Sequence, residues 1–70
     1  MAPAHTVTSG EHLWSIAADQ VAMATGRSPA DLSTADVAAY WLRVVELNRH
    51  QLRSGNPNLV YPGEVVELPP

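Results

Sequence analysis

A chain of 70 residues without a cysteine has no covalent cross-link to stabilise a fold. Disulfide bridges and cysteine-based zinc sites, which support many small domains, are both excluded. A domain of this size buries only about 60% of the surface of its unfolded chain, so each large apolar side chain matters. The chain also lacks phenylalanine, and its two Trp and two Tyr must supply most of the large packing groups. We expect a single small domain over residues 1–70, with a flexible tail at 1–4.

The charge balance excludes several classes of partner. Four Arg and no Lys stand against seven acidic residues, which gives a net charge of −3. Because no basic stripe is available to neutralise phosphates, we expect no binding to nucleic acid. No apolar run approaches the roughly 18 residues that span a bilayer, so we expect no direct membrane insertion. Residues 1–4 show neither the charged start nor the apolar run of a signal peptide.

Apolar residues at helical spacing predict a first helix after the turn at Ser9-Gly10. Its stripe consists of Leu13, Ile16, Ala17 and Val21. Glu11 is expected in the first turn, where a carboxylate suits the positive end of the helix dipole. Gly26 is expected to end this helix. We interpret residues 22–34 as a long inter-helix segment, with a single helical turn starting at Pro29.

A second helix is predicted from about residue 35 to about residue 50. Ser33 and Asp36 form a pattern similar to a capping box. The stripe that follows, at spacings of three and four, consists of Val37, Tyr40, Trp41, Val44, Leu47 and Asn48. In this setting Trp14 and Trp41 are interpreted as core or core-edge residues, and the alternative is a platform on which a sugar ring stacks. The amide of Asn48 is expected to hold loop backbone beyond the helix, and the alternative is contact with a ligand.

Short alternating segments at both ends of the chain predict two strands, His5–Thr8 and Glu64–Leu68. The two strands most simply pair with each other in an antiparallel sheet. Because a lone strand pair is unstable in water, we expect both helices to pack on one of its faces. The predicted fold is α+β, a small βααβ domain.

Candidate catalytic and metal-binding groups do not form a convincing site. The histidines are His5, His12 and His50, and their spacing fits no metal pattern, so we expect no metal and no cofactor. The carboxylates near the strand ends are Glu11, Glu64 and Glu67, and we interpret them as solvated surface groups. A small hydrolase is disfavoured, because a domain this small has little room for the cleft that a carboxylate pair requires. We expect no enzyme activity.

Two segments resemble the LysM family, small carbohydrate-binding domains of bacterial cell-wall proteins and of plant and fungal chitin binders. The sequence HTVTSGEHLWSIA, residues 5–17, is similar to the opening of that family. The sequence VVELNRHQLRSGNPNLVYPGEVVELPP, residues 44–70, is similar to its close. The resemblance implies a non-catalytic, monomeric module of a larger protein. It would recognise glycans with N-acetylglucosamine units, such as bacterial peptidoglycan or chitin, and anchor its parent to the cell wall. The implied location is the cell envelope or the extracellular space.

The resemblance also implies a shallow glycan groove between the loop after the first strand and the loop before the second. The matching positions are Gly10, Glu11, His12, Leu13, Asn56, Pro57, Leu59, Val60 and Tyr61. The chain departs from the family pattern where Gly10-Glu11-His12 replaces the usual Gly-Asp-Thr, and in its longer middle segment. These departures favour an alternative, a LysM-like protein-interaction or spacer domain that has lost glycan binding.

Overall fold

The computed structural model describes residues 3–56 and 59–69. The elements along the chain are β1 (Ala4–Thr6), α1 (Leu13–Thr25), a single 3-10 turn (Pro29–Asp31), α2 (Thr34–Asn48) and β2 (Val65–Glu67). The two strands form one antiparallel sheet. The protein is therefore a small α+β domain with the predicted βααβ order.

The strand pair extends beyond its formal ends. The register places Ala4 opposite Glu67 and Thr6 opposite Val65. Beyond it, Leu68 N–H donates to the carbonyl of Pro3 at 2.7 Å, and Val7 N–H donates to the carbonyl of Glu64 at 2.8 Å. Pro3 and Ala4 thus take part in strand pairing, although both fall within the predicted tail.

Helix α1 starts later than the sequence predicted. His12 is the N-cap, so Glu11 precedes the helix, and the prediction that Glu11 lies in the first turn is wrong. Gly26 ends the helix in the left-handed conformation (φ 69°), and its N–H donates to the carbonyl of Ala22. Because α1 continues to Thr25, the segment between the helices is residues 26–33 rather than 22–34.

Helix α2 begins with the predicted capping box. Asp36 N–H donates to Ser33 Oγ at 3.1 Å, and Ser33 N–H donates to Asp36 Oδ2 at 3.1 Å. These reciprocal bonds satisfy two donors that would otherwise be unpaired at the helix start. Near the other end, Leu47 was predicted in the buried stripe but is 38% exposed.

One apolar cluster joins the strands to the helices. Its buried members are Val7, Leu13, Ile16, Ala17, Val37, Val44, Leu52, Val66 and Leu68. Val7, Val66 and Leu68 come from one face of the sheet, while Val65 on the opposite face is exposed. Trp14 and Trp41 pack against this cluster, half-buried, with ring centroids 5.7 Å apart and planes tilted by 56°. Both tryptophans thus lie at the edge of the core, within the range that the sequence predicted.

Asn48, the last residue of α2, is fully buried and binds the backbone of β2. Its Nδ2 donates to the carbonyls of Val44 and Glu67, both at 2.8 Å, and its Oδ1 accepts the N–H of Glu67 at 2.7 Å. In an antiparallel pair, alternate residues direct their peptide groups away from the partner strand. Glu67 is such a residue, so the amide of Asn48 occupies the position of a third strand. The expected target was loop backbone, and the observed target is strand backbone.

We expect Asn48→Ala to lower the free energy of unfolding by about 2 to 4 kcal/mol, because it unpairs the N–H and C=O of Glu67 and leaves a cavity. Urea unfolding followed by circular dichroism measures this loss. Gln51→Ala, which removes an exposed amide, is the matched control and should unfold like the wild type. Equal midpoints for Asn48→Ala and Gln51→Ala would contradict the prediction.

Candidate functional site

The loop after β1 and the loop before β2 meet at one end of the sheet. Val7 N–H donates to the carbonyl of Glu64, and Gly63 N–H donates to the carbonyl of Val7, both at 2.8 Å. The first loop (residues 8–12) leaves the sheet at this point, and the second loop (residues 49–64) returns to it. The strand pairing therefore places the start of the first loop beside the end of the second, at the same end of the sheet.

The first loop is organised by Glu11. Its Oε1 accepts the N–H of Thr8 at 2.7 Å and lies 2.9 Å from His5 Nε2, a donor when it faces a carboxylate. Hydrogen bonds from His5 and then Thr8 lower the pKa of Glu11 from 4.5 to about 2, since both favour the ionised form. The carboxylate thus connects strand β1 to the loop that follows it.

His12 has a structural function at the start of α1. Its Nδ1 accepts the N–H of Ser15 at 3.2 Å, and its own N–H donates to Ser15 Oγ at 3.0 Å. The hydroxyl of Ser15 also donates to the carbonyl of His12 at 2.8 Å. The imidazole therefore caps the helix, a task for which Thr, Ser, Asp and Asn are the usual residues.

The second loop is closed from inside by Ser54 and Glu64. Ser54 Oγ accepts the N–H of Asn56 at 3.0 Å and shares its proton between the carbonyls of Leu59 (2.7 Å) and Asn56 (2.9 Å). Glu64 Oε1 accepts the N–H of Tyr61 at 2.9 Å, and Glu64 Oε2 accepts the N–H of Arg53 at 3.3 Å. With 8% of its surface exposed, Glu64 is not the solvated carboxylate that the sequence predicted. Two backbone donors compensate its burial.

The predicted site residues differ in their exposure. Exposed positions are Gly10, His12, Asn56, Leu59 and Tyr61, and half-buried ones are Glu11 and Val60. Leu13 is buried in the apolar cluster, so its side chain packs against the core rather than facing the loops. Pro57 lies outside the described residues. Most of the described positions thus form the surface of the two loops.

Sequence reasoning missed the residues that hold these loops together. His5 was interpreted as a strand residue, Ser54 as part of a turn cluster and Glu64 as a surface group. Serine in a turn carries no specific signal, because such residues bind many kinds of loop backbone. The position of Glu64 does carry a sequence signal, because Glu64 directly follows a turn glycine, as Glu11 does.

Among the described residues, no group of three His, Asp or Glu side chains could hold a metal ion. None of the helices in the described ranges is long and apolar enough to cross a membrane. Comparisons with protein-family models, with curated proteins and with solved structures each find no match to this chain.

Acid should weaken the contribution of Glu11 to folding. Above about pH 4.5 the carboxylate is ionised in both states, and its hydrogen bonds stabilise the folded one. As the pH falls from about 4.5 towards about 2, the unfolded chain takes up a proton before the folded chain does, so this stabilisation is lost. The wild type should therefore be more stable than Glu11→Gln at neutral pH, and the difference should shrink through this range.

Urea unfolding at stepped pH values measures that difference. Asp19→Asn, which neutralises an exposed carboxylate of α1, serves as the control for the general effect of charge on stability. A difference between wild type and Glu11→Gln that stays constant from neutral pH to about pH 2 would contradict the assignment.

Proposed function

We propose that this chain is a non-catalytic module that binds glycans built from N-acetylglucosamine units, such as peptidoglycan or chitin, at the end of the sheet where the two loops meet. One observation carries the proposal: the bonds from Val7 to Gly63 and Glu64 join the two segments that resemble the LysM family. The module would anchor a larger protein to the cell wall, and its place would be the cell envelope or the extracellular space.

The loop surfaces offer groups that suit such a ligand. An N-acetyl sugar presents an amide donor and acceptor, an apolar methyl group and ring faces with C–H groups. Tyr61, 40% exposed, and Leu59, 45% exposed, offer an aromatic face and an aliphatic contact, and turn backbone can pair with the amide. The ligand's recognised parts are neutral, so recognition needs no charged pair.

The departure from the usual Gly-Asp-Thr pattern is compatible with binding. Glu11 and His12 both have structural tasks, in the turn and at the helix start. Thr is itself a preferred N-cap residue, so His12 can replace it in that function. Each carboxylate oxygen of Glu64 accepts a backbone N–H group. The carboxylate is therefore engaged in holding the loop, which agrees with a non-catalytic role.

A protein-interaction or spacer domain is the second candidate. Apolar side chains that are more exposed than those of the loops lie elsewhere, on α1, α2 and the open face of β2. Met23 is 71% exposed, and Leu42 and Val65 are each more than half exposed. A partner protein would be expected to cover such residues rather than the loops.

Titration with an N-acetylglucosamine oligomer of four or five sugars tests the glycan proposal. Backbone chemical shifts should change at residues 10–13 and 56–61, while residues 26–33 stay unchanged. Affinity should rise with oligomer length and change little with moderate salt, since no charge pair contributes. Tyr61→Ala should weaken binding about tenfold, because it removes the exposed aromatic face.

Met23→Ala, which truncates an exposed apolar side chain on α1, is the matched control and should bind like the wild type. No shift in either loop at millimolar oligomer would reject the proposal for chitin-type chains. The interaction-domain candidate would then be favoured. Chemical-shift changes confined to Met23, Leu42 and Val65 upon addition of a partner protein would support it.

A further inference from the structure

The same turn occurs once in each loop. In the first, Thr8-Ser9-Gly10-Glu11, the N–H of Glu11 donates to the carbonyl of Thr8 at 3.1 Å. In the second, Tyr61-Pro62-Gly63-Glu64, the N–H of Glu64 donates to the carbonyl of Tyr61, also at 3.1 Å. The third residue of each is a glycine with positive φ, 88° at Gly10 and 90° at Gly63. Among the described residues only glycines have positive φ, so the second residue of each turn, Ser9 or Pro62, has negative φ. Negative φ at the second residue and positive φ at the third are the conformation of a type II turn.

Each turn is closed a second time by the side chain of its last residue. Glu11 Oε1 accepts the N–H of Thr8 at 2.7 Å, and Glu64 Oε1 accepts the N–H of Tyr61 at 2.9 Å. First and last residues are therefore joined by two hydrogen bonds in opposite directions. Nothing lies within 4 Å of a Cβ built on either glycine, so the backbone angle, rather than lack of space, requires glycine there.

Each carboxylate also makes one contact outside its turn. Glu11 reaches back to His5 in β1 at 2.9 Å. Glu64 reaches the N–H of Arg53 at 3.3 Å and so spans the second loop from residue 53 to residue 61. The two turns are thus fixed both internally and against the rest of the fold. The backbone of Val7, the residue before the first turn, is hydrogen-bonded to Gly63 and Glu64 of the second turn.

We propose that Glu11 and Glu64 are the positioning residues of the loop site: each carboxylate locks one of two matched turns and so presents the backbone and side chains of its loop to the ligand. The inference rests on the proposed glycan function for the identity of that ligand. Neither carboxylate need touch the sugar. A site made mainly of turn backbone binds well only if the turns are already ordered, because ordering them on binding reduces affinity.

Glu64→Gln separates the two contacts of Glu64. The amide oxygen can still accept from Tyr61 N–H, but the amide NH₂ opposes the N–H of Arg53 and cannot accept from it. Amide hydrogen exchange should therefore become about tenfold faster at Arg53 and change little at Tyr61. In Glu64→Ala the amides of Arg53 and Tyr61 should both exchange faster. In Glu11→Ala the amide of Thr8 should exchange faster. Core amides of Ile16 and Val44 report any global loss of stability, and Glu46→Gln on the exposed face of α2 is the control.

Affinity for the N-acetylglucosamine pentamer is measured on the same variants. We expect Glu64→Gln and Glu11→Ala to bind about fivefold to tenfold more weakly than Glu46→Gln at a temperature where all are folded. Unchanged exchange at Arg53, Tyr61 and Thr8 would overturn the proposal, and so would faster exchange with unchanged affinity. Failure of the wild type to bind the pentamer would instead reject the glycan function, while exchange would still decide whether the carboxylates hold the loops.

Discussion

The side-chain amide of Asn48 connects the helical layer to the sheet, and much of the structure depends on it. Strands of three residues in a two-stranded sheet are marginal in water, and β2 has a free edge where a third strand would pair. Asn48 fills that edge with one acceptor and one donor to Glu67, while its second donor bond to Val44 fixes the amide to α2. The position of β2 is thereby tied to the C-terminal end of α2. Because β2 pairs with β1, the same contact sets the place where the two loops meet.

Apolar and polar side chains have separate tasks in this chain. The apolar cluster joins the sheet face to both helices, but it cannot define loops, whose backbone groups each need a hydrogen-bond partner. That need is met by a few polar side chains: Glu11 and His12 in the first loop, and Ser54 and Glu64 in the second. Without disulfides, such contacts are the means by which a chain of this length can order a long connection. They also explain why a carboxylate is buried in so small a domain.

Several of the features that sequence analysis predicted correctly have local causes. Helical spacing, the Ser33–Asp36 capping box and the stop at Gly26 depend only on neighbouring residues, and all appear in the structure. Glu64 was misjudged because its burial depends on a loop that brings the N–H of Arg53 to it from eleven residues away. Leu47 was misjudged because periodicity does not say how much of α2 the small sheet can cover. The meeting of the two loops was predictable from the pairing of the terminal strands, but the side chains that hold them were not.

A binding surface composed largely of turn backbone would be specified by residues that do not contact the ligand. Peptide N–H and C=O groups are the same in every sequence, so their arrangement depends on the turn glycines, the two glutamates and the N-cap. In the first loop, Glu11 accepts the N–H of Thr8 and His12 accepts the N–H of Ser15, so both residues shape the backbone of that loop. In the proposed glycan site, a substitution at either turn glycine or at either glutamate would therefore change the arrangement of several peptide groups at once.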